Sequence, residues 1–475
     1  MAPRAPKAIS GFPARLIPNV RWLMAALTLV WCFTLFDGAH KLFRDSDAGW
    51  HIRTGERILS TGQLPYVDPY SFSRAGRPWF AWEWGADVLM GAAHRMSGLR
   101  GVALLYGTAL AAVTWLWLTL QFQAGAGFLP ALLSIPLMFS TANLHWLARP
   151  HVLGWLLLLG LILWCERGAA RPGWAFLFGA AWANVHASFF LGPVVFAVYA
   201  LFRGGRYWLA AGLAALGTVM NPYGIEEHQH VLAYLLNGEL LRRIGEFQTF
   251  NFQLEGTAQI VLCFALCGIG AVLALVEKRF EWALLIGLFW LIALRSARGL
   301  PVMAVSVMPL AVASISIWIR RAYPRWESFF RYSDNLRVID RRLGGAWVMV
   351  PALLIAHGVA GSAGFAESEF PVKAAAAIPA GARLFAPDKF GGYLIYRSAG
   401  MQPVFFDGRS DFYGVDFMKD YIRMVEVRPG WQALFDSWKF SHALVPKDAP
   451  LRAALETRGW RTLSADEAAV LMAPR

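Results

Sequence analysis

Long apolar stretches recur from one end of this sequence to the other, and they limit what the chain can fold into more than any other feature. They lie at about residues 19–36, 102–120, 128–143, 151–164, 174–185, 189–202, 207–220, 257–276, 282–294, 301–319 and 346–361. A soluble domain has about a quarter of its residues charged, whereas here 16% are charged and 57% are hydrophobic, with a mean hydropathy of +0.43. The pattern predicts a polytopic α-helical membrane protein with about 11 transmembrane helices. Many of the 22 tryptophans fall near the ends of these stretches, as an interfacial aromatic belt requires.

The basic residues set the orientation. The net charge is +13, but it is spread over short turns and forms no single stripe, which excludes nucleic acid as a partner and fits the positive-inside rule. The N-terminal region holds Arg4, Lys7, Arg15 and Arg21 and no acid. No A-x-A-like cleavage site follows, so residues 1–18 read as a cytoplasmic leader before an uncleaved first span. The turns with Arg167 and Arg171, Arg203 and Arg206, and Lys278 and Arg279 then fall inside, as does a linker at 320–344 rich in arginine. A first outer loop at 37–100 and a second at 221–256 face outward. The expected location is a bacterial inner (cytoplasmic) membrane, with residues 19–365 as the transmembrane domain and 366–475 as an extracytoplasmic domain. Cys32, Cys165, Cys263 and Cys267 all lie in apolar runs and read as small core residues.

Two segments depart from the apolar pattern. Residues 79–96 carry Glu83, Asp87, His94 and Arg95 and read as an amphipathic helix on the outer surface. From about residue 367 the composition is that of a soluble chain. Short β-like runs at 383–386, 404–407, 442–445 and 470–473 alternate with helical patterns at 416–427, 429–438 and 450–458, which predicts a small α/β domain. Its Phe390-Gly391-Gly392-Tyr393 and Asp407-Gly408-Arg409 read as a tight turn and a loop after strands.

The polar residues next to the spans collect on the outer side. Asp45 and Asp47, with His51 four residues on, open the first outer loop directly after the first span. Capping and solvating a helix end would also account for the two acids. Arg149-Pro150-His151, Asn184-Val185-His186, Asn221-Pro222-Tyr223, Glu246, Arg295 and Arg298 lie on the same side. Converging polar groups under a large loop suggest a cavity open to the outside and to lipid. Singly, the histidines fit helix-end hydrogen bonding and the arginines fit snorkelling to the interface.

These residues resemble a known family. The first outer loop reads D-x-D-x-x-W-H-x-x-x-G from Asp45 to Gly55, then Pro65-Tyr66-Val67-Asp68-Pro69-Tyr70-Ser71, then Trp79-Phe80-Ala81-Trp82-Glu83-Trp84. With the polar motifs above and the two glycine motifs of the tail, the chain resembles the GT-C superfamily of integral-membrane glycosyltransferases, in particular a bacterial group with this first loop and a soluble C-terminal domain. The resemblance implies a GT-C-like fold, a polyprenyl-phosphate sugar donor, an outward-facing site and an essential acid in the first outer loop. Partners would be that donor, membrane lipid, and an acceptor glycan, lipid or protein.

Transfer from such a donor passes through an oxocarbenium-like state and needs a carboxylate to take the acceptor proton. Asp47 is the first candidate for this base and Asp45 the second. The same pair could instead ligate a divalent cation, Mg or Mn, that offsets the leaving phosphate. His51, Glu83, Arg149, His151, His186, Arg295 and Arg298 are candidates for binding the substrate, the arginines because a planar guanidinium matches phosphate. A transporter or flippase of a lipid-linked solute would place charges near mid-span and often repeat its halves, and neither is evident. A non-catalytic cell-envelope assembly subunit is the other alternative.

Overall fold

The computed structural model describes residues 12–168 and 171–475. Residues 1–11 of the expected leader, with Arg4 and Lys7, lie outside the described residues, as do Ala169 and Ala170 of the turn beside Arg167 and Arg171. The chain is mostly helical, and a small sheet closes the C-terminal end.

A helix or a broken pair of helices occupies each stretch that the apolar pattern marked. Among the described residues, however, only Trp84–Ala124, Phe128–His145 and Ala258–Val276 are long and apolar enough to cross a membrane. A pair bent by 49°, Gly299–Ser306 and Met308–Ala322, would make a fourth. The others are short: Pro172–Ala183 has 12 residues, about 18 Å at the rise of an α-helix. Large apolar side chains such as Leu209, Leu262, Val272, Leu291 and Leu354 are exposed along these helices, as on a surface that faces lipid.

The amphipathic helix expected at 79–96 begins at Trp84 and ends at the non-helical Ser97 and Gly98, where φ is 60°, which set it apart from the apolar remainder of the helical run Trp84–Ala124; it does not lie free on a surface. One face is buried against the helix Asp47–Thr61. A Cβ on Gly55 would lie 1.7 Å from the Asp87 carbonyl oxygen, and Gly91 also meets the Gly55 backbone too closely for a side chain. The charges that suggested a surface location pair with that neighbour: His94 meets Glu56 at 2.6 Å and Asp87 meets His51 at 2.6 Å.

The tail forms a four-stranded sheet in the order β1-β2-β4-β3, built from β1 Leu384–Phe385, β2 His442–Pro446, β3 Arg461–Ala465 and β4 Ala469–Ala473. β1 and β2 are parallel, and the other pairs are antiparallel. The run at 404–407 is not a strand of this sheet. Val404 instead pairs with the first outer loop, donating its N–H to the Tyr70 carbonyl at 2.9 Å and accepting from Phe72 N–H at 3.0 Å. β3 went unread because most of it is exposed and it lacks an apolar face. The expected turn at Gly391-Gly392 is helical, inside Asp388–Arg397. Those glycines serve close approach: a Cβ on Gly392 would lie 2.2 Å from the Ser46 carbonyl oxygen, and one on Gly391 2.2 Å from that of Phe406.

Strand alternation joins the tail to the rest. Leu444, Ala469 and Leu471 belong to the same buried cluster as the helical region, whereas Ala443, Val445, Val470 and Met472 pack under the tail's own helices. The segment 366–475 therefore has a second core of its own and a face that continues the main one.

Candidate functional site

The helix Asp47–Thr61 stands at the centre. Ser46 is its N-cap and makes no side-chain cap bond; Asp45, one residue earlier, accepts the Asp47 N–H at 3.0 Å, so the capping reading of that acid holds in part. The other Asp45 oxygen lies 2.6 Å from Arg149 Nη1, and Arg149 Nη2 lies 2.7 Å from Asp47 Oδ2. Glu246 of the second outer loop reaches the same guanidinium at 3.5 Å and Arg298 at 3.6 Å. Three acids thus share two arginines, and the electrostatics divide them. Although burial raises the Glu246 affinity for protons, Arg298 and Arg149 bring its pKa down to about 2. Burial pushes Asp47 up to about 7; Arg149 opposes this, while Asp45, Asp407 and Glu246 add to it.

This cluster borders a cavity of about 530 Å³. Of the candidates, Asp47, His51, Glu83, Arg149, His151, His186, Arg295 and Arg298 all line it, although they come from well-separated stretches of sequence. Asp45 stands behind Arg149 and is not among the lining residues. One side is apolar, with Leu158, Phe289, Ile292 and Val302, and an aromatic side is formed by residues such as Trp79, Trp82 and Tyr234. Trp79 and Trp82 entered the sequence reading only as members of the motif Trp79–Trp84, without a role in the site, and Tyr234 did not enter it.

Glu83 holds a second chain of polar groups. The Ser188 N–H donates to His186 Nδ1 at 3.1 Å, so the ring proton resides on Nε2, which faces Glu83 Oε1 at 3.4 Å. The Ala187 N–H also donates to Oε1, at 3.3 Å. The motif around Glu83 is fixed by Asn184, which accepts from Trp84 Nε1 at 2.7 Å and whose carbonyl approaches Gly85 too closely for any Cβ. Burial raises Glu83 to about 7 and lowers His186 to about 3. Burial likewise holds His51 well below its ordinary range, so its ring is neutral where Nδ1 meets Asp87 at 2.6 Å. His51 Nε2 lies 3.9 Å from Glu83 Oε2.

The arginines differ in their freedom. Arg149 is engaged by the acids, so its fork is a counter-charge and is not open to a ligand. Arg295 and Arg298, although three residues apart, do not share one helical face. Arg295 ends the helix Phe280–Arg295, Ser296 is extended, and Arg298 caps the next helix, Gly299–Ser306. Arg295 is exposed and has no hydrogen-bond or ion-pair partner among the described residues, and Arg298 is one-third exposed. His151 lines the cavity with its Nε2 already engaged, 2.8 Å from the His145 carbonyl oxygen.

The tail supplies a residue that sequence reasoning missed. Arg409 forms a buried fork with Asp407, at 2.8 and 2.7 Å, and reaches Asp68 of the first outer loop at 2.9 Å. Asp68 also accepts the N–H groups of Tyr70 and Ser71. The loop motif and the Asp-Gly-Arg motif are thus two halves of one joint.

The residues present do not fit a divalent cation well. The space between Asp45 and Asp47 is filled by the Arg149 guanidinium, and among the described residues no group of three or more His, Cys, Asp or Glu could hold a metal ion.

No family model and no curated protein matches the sequence. Among solved structures the chain is similar to the Archaeoglobus fulgidus oligosaccharyltransferase tethered with an acceptor peptide containing the NVT sequon. That match has a TM-score of 0.56 and 11% identity, over 90% of this chain and 68% of that one. It is similar to the same organism's oligosaccharyltransferase AglB in complex with an inhibitory peptide and a dolichol-phosphate, with a TM-score of 0.55 and 11% identity, over 90% and 69% of the two chains. ArnT from Cupriavidus metallidurans in the apo state aligns over 96% of this chain and 97% of its own at 14% identity, with a TM-score of 0.46. At such identities the oligosaccharyltransferase matches establish a fold: the chain shares the architecture of this archaeal oligosaccharyltransferase.

Proposed function

We propose that the protein is a membrane glycosyltransferase of GT-C type that moves a sugar from a polyprenyl-phosphate donor to an extracytoplasmic acceptor with inversion. The observation that carries the reading is Asp47, a buried carboxylate held on Arg149 and titrating near neutrality, in one cavity with Arg295 and Arg298 and an apolar wall. The likeness to an oligosaccharyltransferase in complex with a dolichol-phosphate supports the donor class.

In this mechanism the acceptor hydroxyl enters beside Asp47. Its oxygen bonds to the anomeric carbon as the bond to the donor phosphate breaks on the opposite face, and its proton passes to Asp47. The polyprenyl phosphate leaves with the electron pair. Arg295 and Arg298 meet the developing negative charge, the former because no acid competes for it. The lipid chain lies along Leu158, Phe289, Ile292 and Val302. No step is assigned to a metal; Arg149 is the resident cation of the acid pair. The chain would cross the bilayer about eleven times, mostly by short or broken helices, with the N-terminus in the cytoplasm and residues 366–475 outside, in a bacterial inner membrane.

Lipid-linked glycan profiles of cells with and without the gene test this directly. A polyprenyl-phosphate sugar that accumulates on deletion, and falls again on restoring the wild-type gene but not Asp47→Asn, is the expected result. Unchanged profiles, with no transfer by the purified protein from any extracted lipid-linked sugar, would overturn it.

A further inference from the structure

The C-terminal domain does more than rest on the helical region. The helix Asp388–Arg397 lies directly on the helix that begins with Asp47: a Cβ on Gly49 would fall 2.1 Å from the Gly392 carbonyl oxygen, and one on Gly392 2.2 Å from that of Ser46. Beyond this helix the chain turns back into the cavity. Gly408 lines it together with Arg409, Ser410 and Asp411, and a Cβ on Gly408 would lie 2.0 Å from Asp47 Oδ1 and 2.9 Å from Oδ2. With a Cβ at this position the carboxylate would have to move. Gly408 has no left-handed backbone that would explain a glycine, so close approach is the remaining reason.

The loop is also held rigidly. Arg409, 3% exposed, is fixed by Asp407 on its own loop and by Asp68 of the first outer loop. Its guanidinium lies over the cavity residue Trp79, 4.6 Å from the ring centroid. Tyr413 adds a hydrogen bond to Asp407 at 2.9 Å. The buried arginine joint thus holds Gly408 against the Asp47 carboxylate.

We infer that the Asp407-Gly408-Arg409 loop of the C-terminal domain completes the reactive centre: Gly408 is a positioning residue that sets Asp47 against Arg149, and Arg409 fixes the loop in register. The rate readout below rests on the transferase reading; the labelling readout does not.

The test uses the full-length protein in lipid. Gly408→Ala displaces the Asp47 carboxylate, and a shift of about 1 Å in a reacting group costs about 10²-fold in rate. The expected result is a fall of that order in kcat with an unchanged KM for the lipid donor, whose contacts lie elsewhere in the cavity. In an Asp47→Asn background Gly408→Ala should add no further loss, because both act through one group. Independently of turnover, carbodiimide labelling of Asp47, read by mass spectrometry, should change severalfold in Gly408→Ala. Should that variant fail to fold, Arg409→Lys, which cannot keep the fork, is read in the same way. Wild-type kcat, an equal loss in the Asp47→Asn background, or unchanged labelling overturns the inference. Changed labelling in a protein that transfers nothing would leave the positioning role standing and remove the transferase reading.

Discussion

Replacing Asp47 with asparagine probes the central claim most directly. The amide keeps the shape of the carboxylate and can still face Arg149, which retains Asp45 at 2.6 Å and Glu246 at 3.5 Å, so the fold should survive. What disappears is the proton acceptor, and general-base catalysis is worth about 10² to 10⁴ in rate. The pH dependence supplies the sharper number. With Asp47 titrating at about 7, about a tenth of it is ionised at pH 6 and about nine tenths at pH 8, so wild-type transfer should rise about tenfold across that interval. The sign for stability is the reverse. The folded chain holds this proton at pH values where the unfolded chain has lost it, so the contribution of Asp47 to stability falls as pH rises from the usual carboxylate range to about 7, then levels off. Asp47→Asn should therefore be at least as heat-stable as wild type at pH 8, while transferring far more slowly. Transfer by purified protein in lipid, measured from pH 5.5 to 8.5 (about the span a single group near 7 needs), beside a detergent melting curve, checks both. An Asp47→Asn enzyme with wild-type rate, or one with an unaltered acid limb and a small loss, would refute the assignment, and a larger loss in Asp45→Asn would exchange the roles of the two acids.

The other expectations are simpler. Arg298→Lys should lower turnover, since lysine cannot present a fork to a phosphate, and Arg295→Ala should weaken donor binding; wild-type donor titrations for both would return them to interface snorkelling. Transfer should persist in EDTA, because Arg149 occupies the space between Asp45 and Asp47; loss of activity restored by Mn would show that the guanidinium yields to a metal. Gly55→Ala should destabilise the protein by about 1–3 kcal/mol or more through overpacking, since its Cβ would lie 1.7 Å from the Asp87 carbonyl oxygen, and an unchanged melting curve would contradict that packing. Cysteines at Ser73 and Asp448 should react with an impermeant label applied outside, and one at Arg331 should not; labelling at 331 in intact cells would reverse the topology.

Local pattern settled a good deal here. Every stretch that hydropathy marked became a helix or a broken helix, because burying apolar surface acts on each segment by itself, whereas the polar-faced helices Asp47–Thr61 and Glu327–Arg342 carry no such mark. The side-by-side placement of Asp45, Asp47 and His51, the gathering of arginines and histidines beside span ends, and the motif around Glu83 were together enough to name eight residues that line one cavity. Tertiary structure decided the rest. That Arg149 serves as the counter-ion of the acids, and not as a phosphate clamp, depends on a contact between residues 104 apart. The glycines of the tail looked like turn glycines, and only the arrival of another backbone or side chain gives Gly392 and Gly408 their purpose. Asp68 and Arg409 sit far apart in the sequence and lock together at 2.9 Å. Periodicity and composition report what each segment does against its surroundings. Which segments meet is set by shape and charge matched across the whole fold, and that information is spread over residues no local window contains.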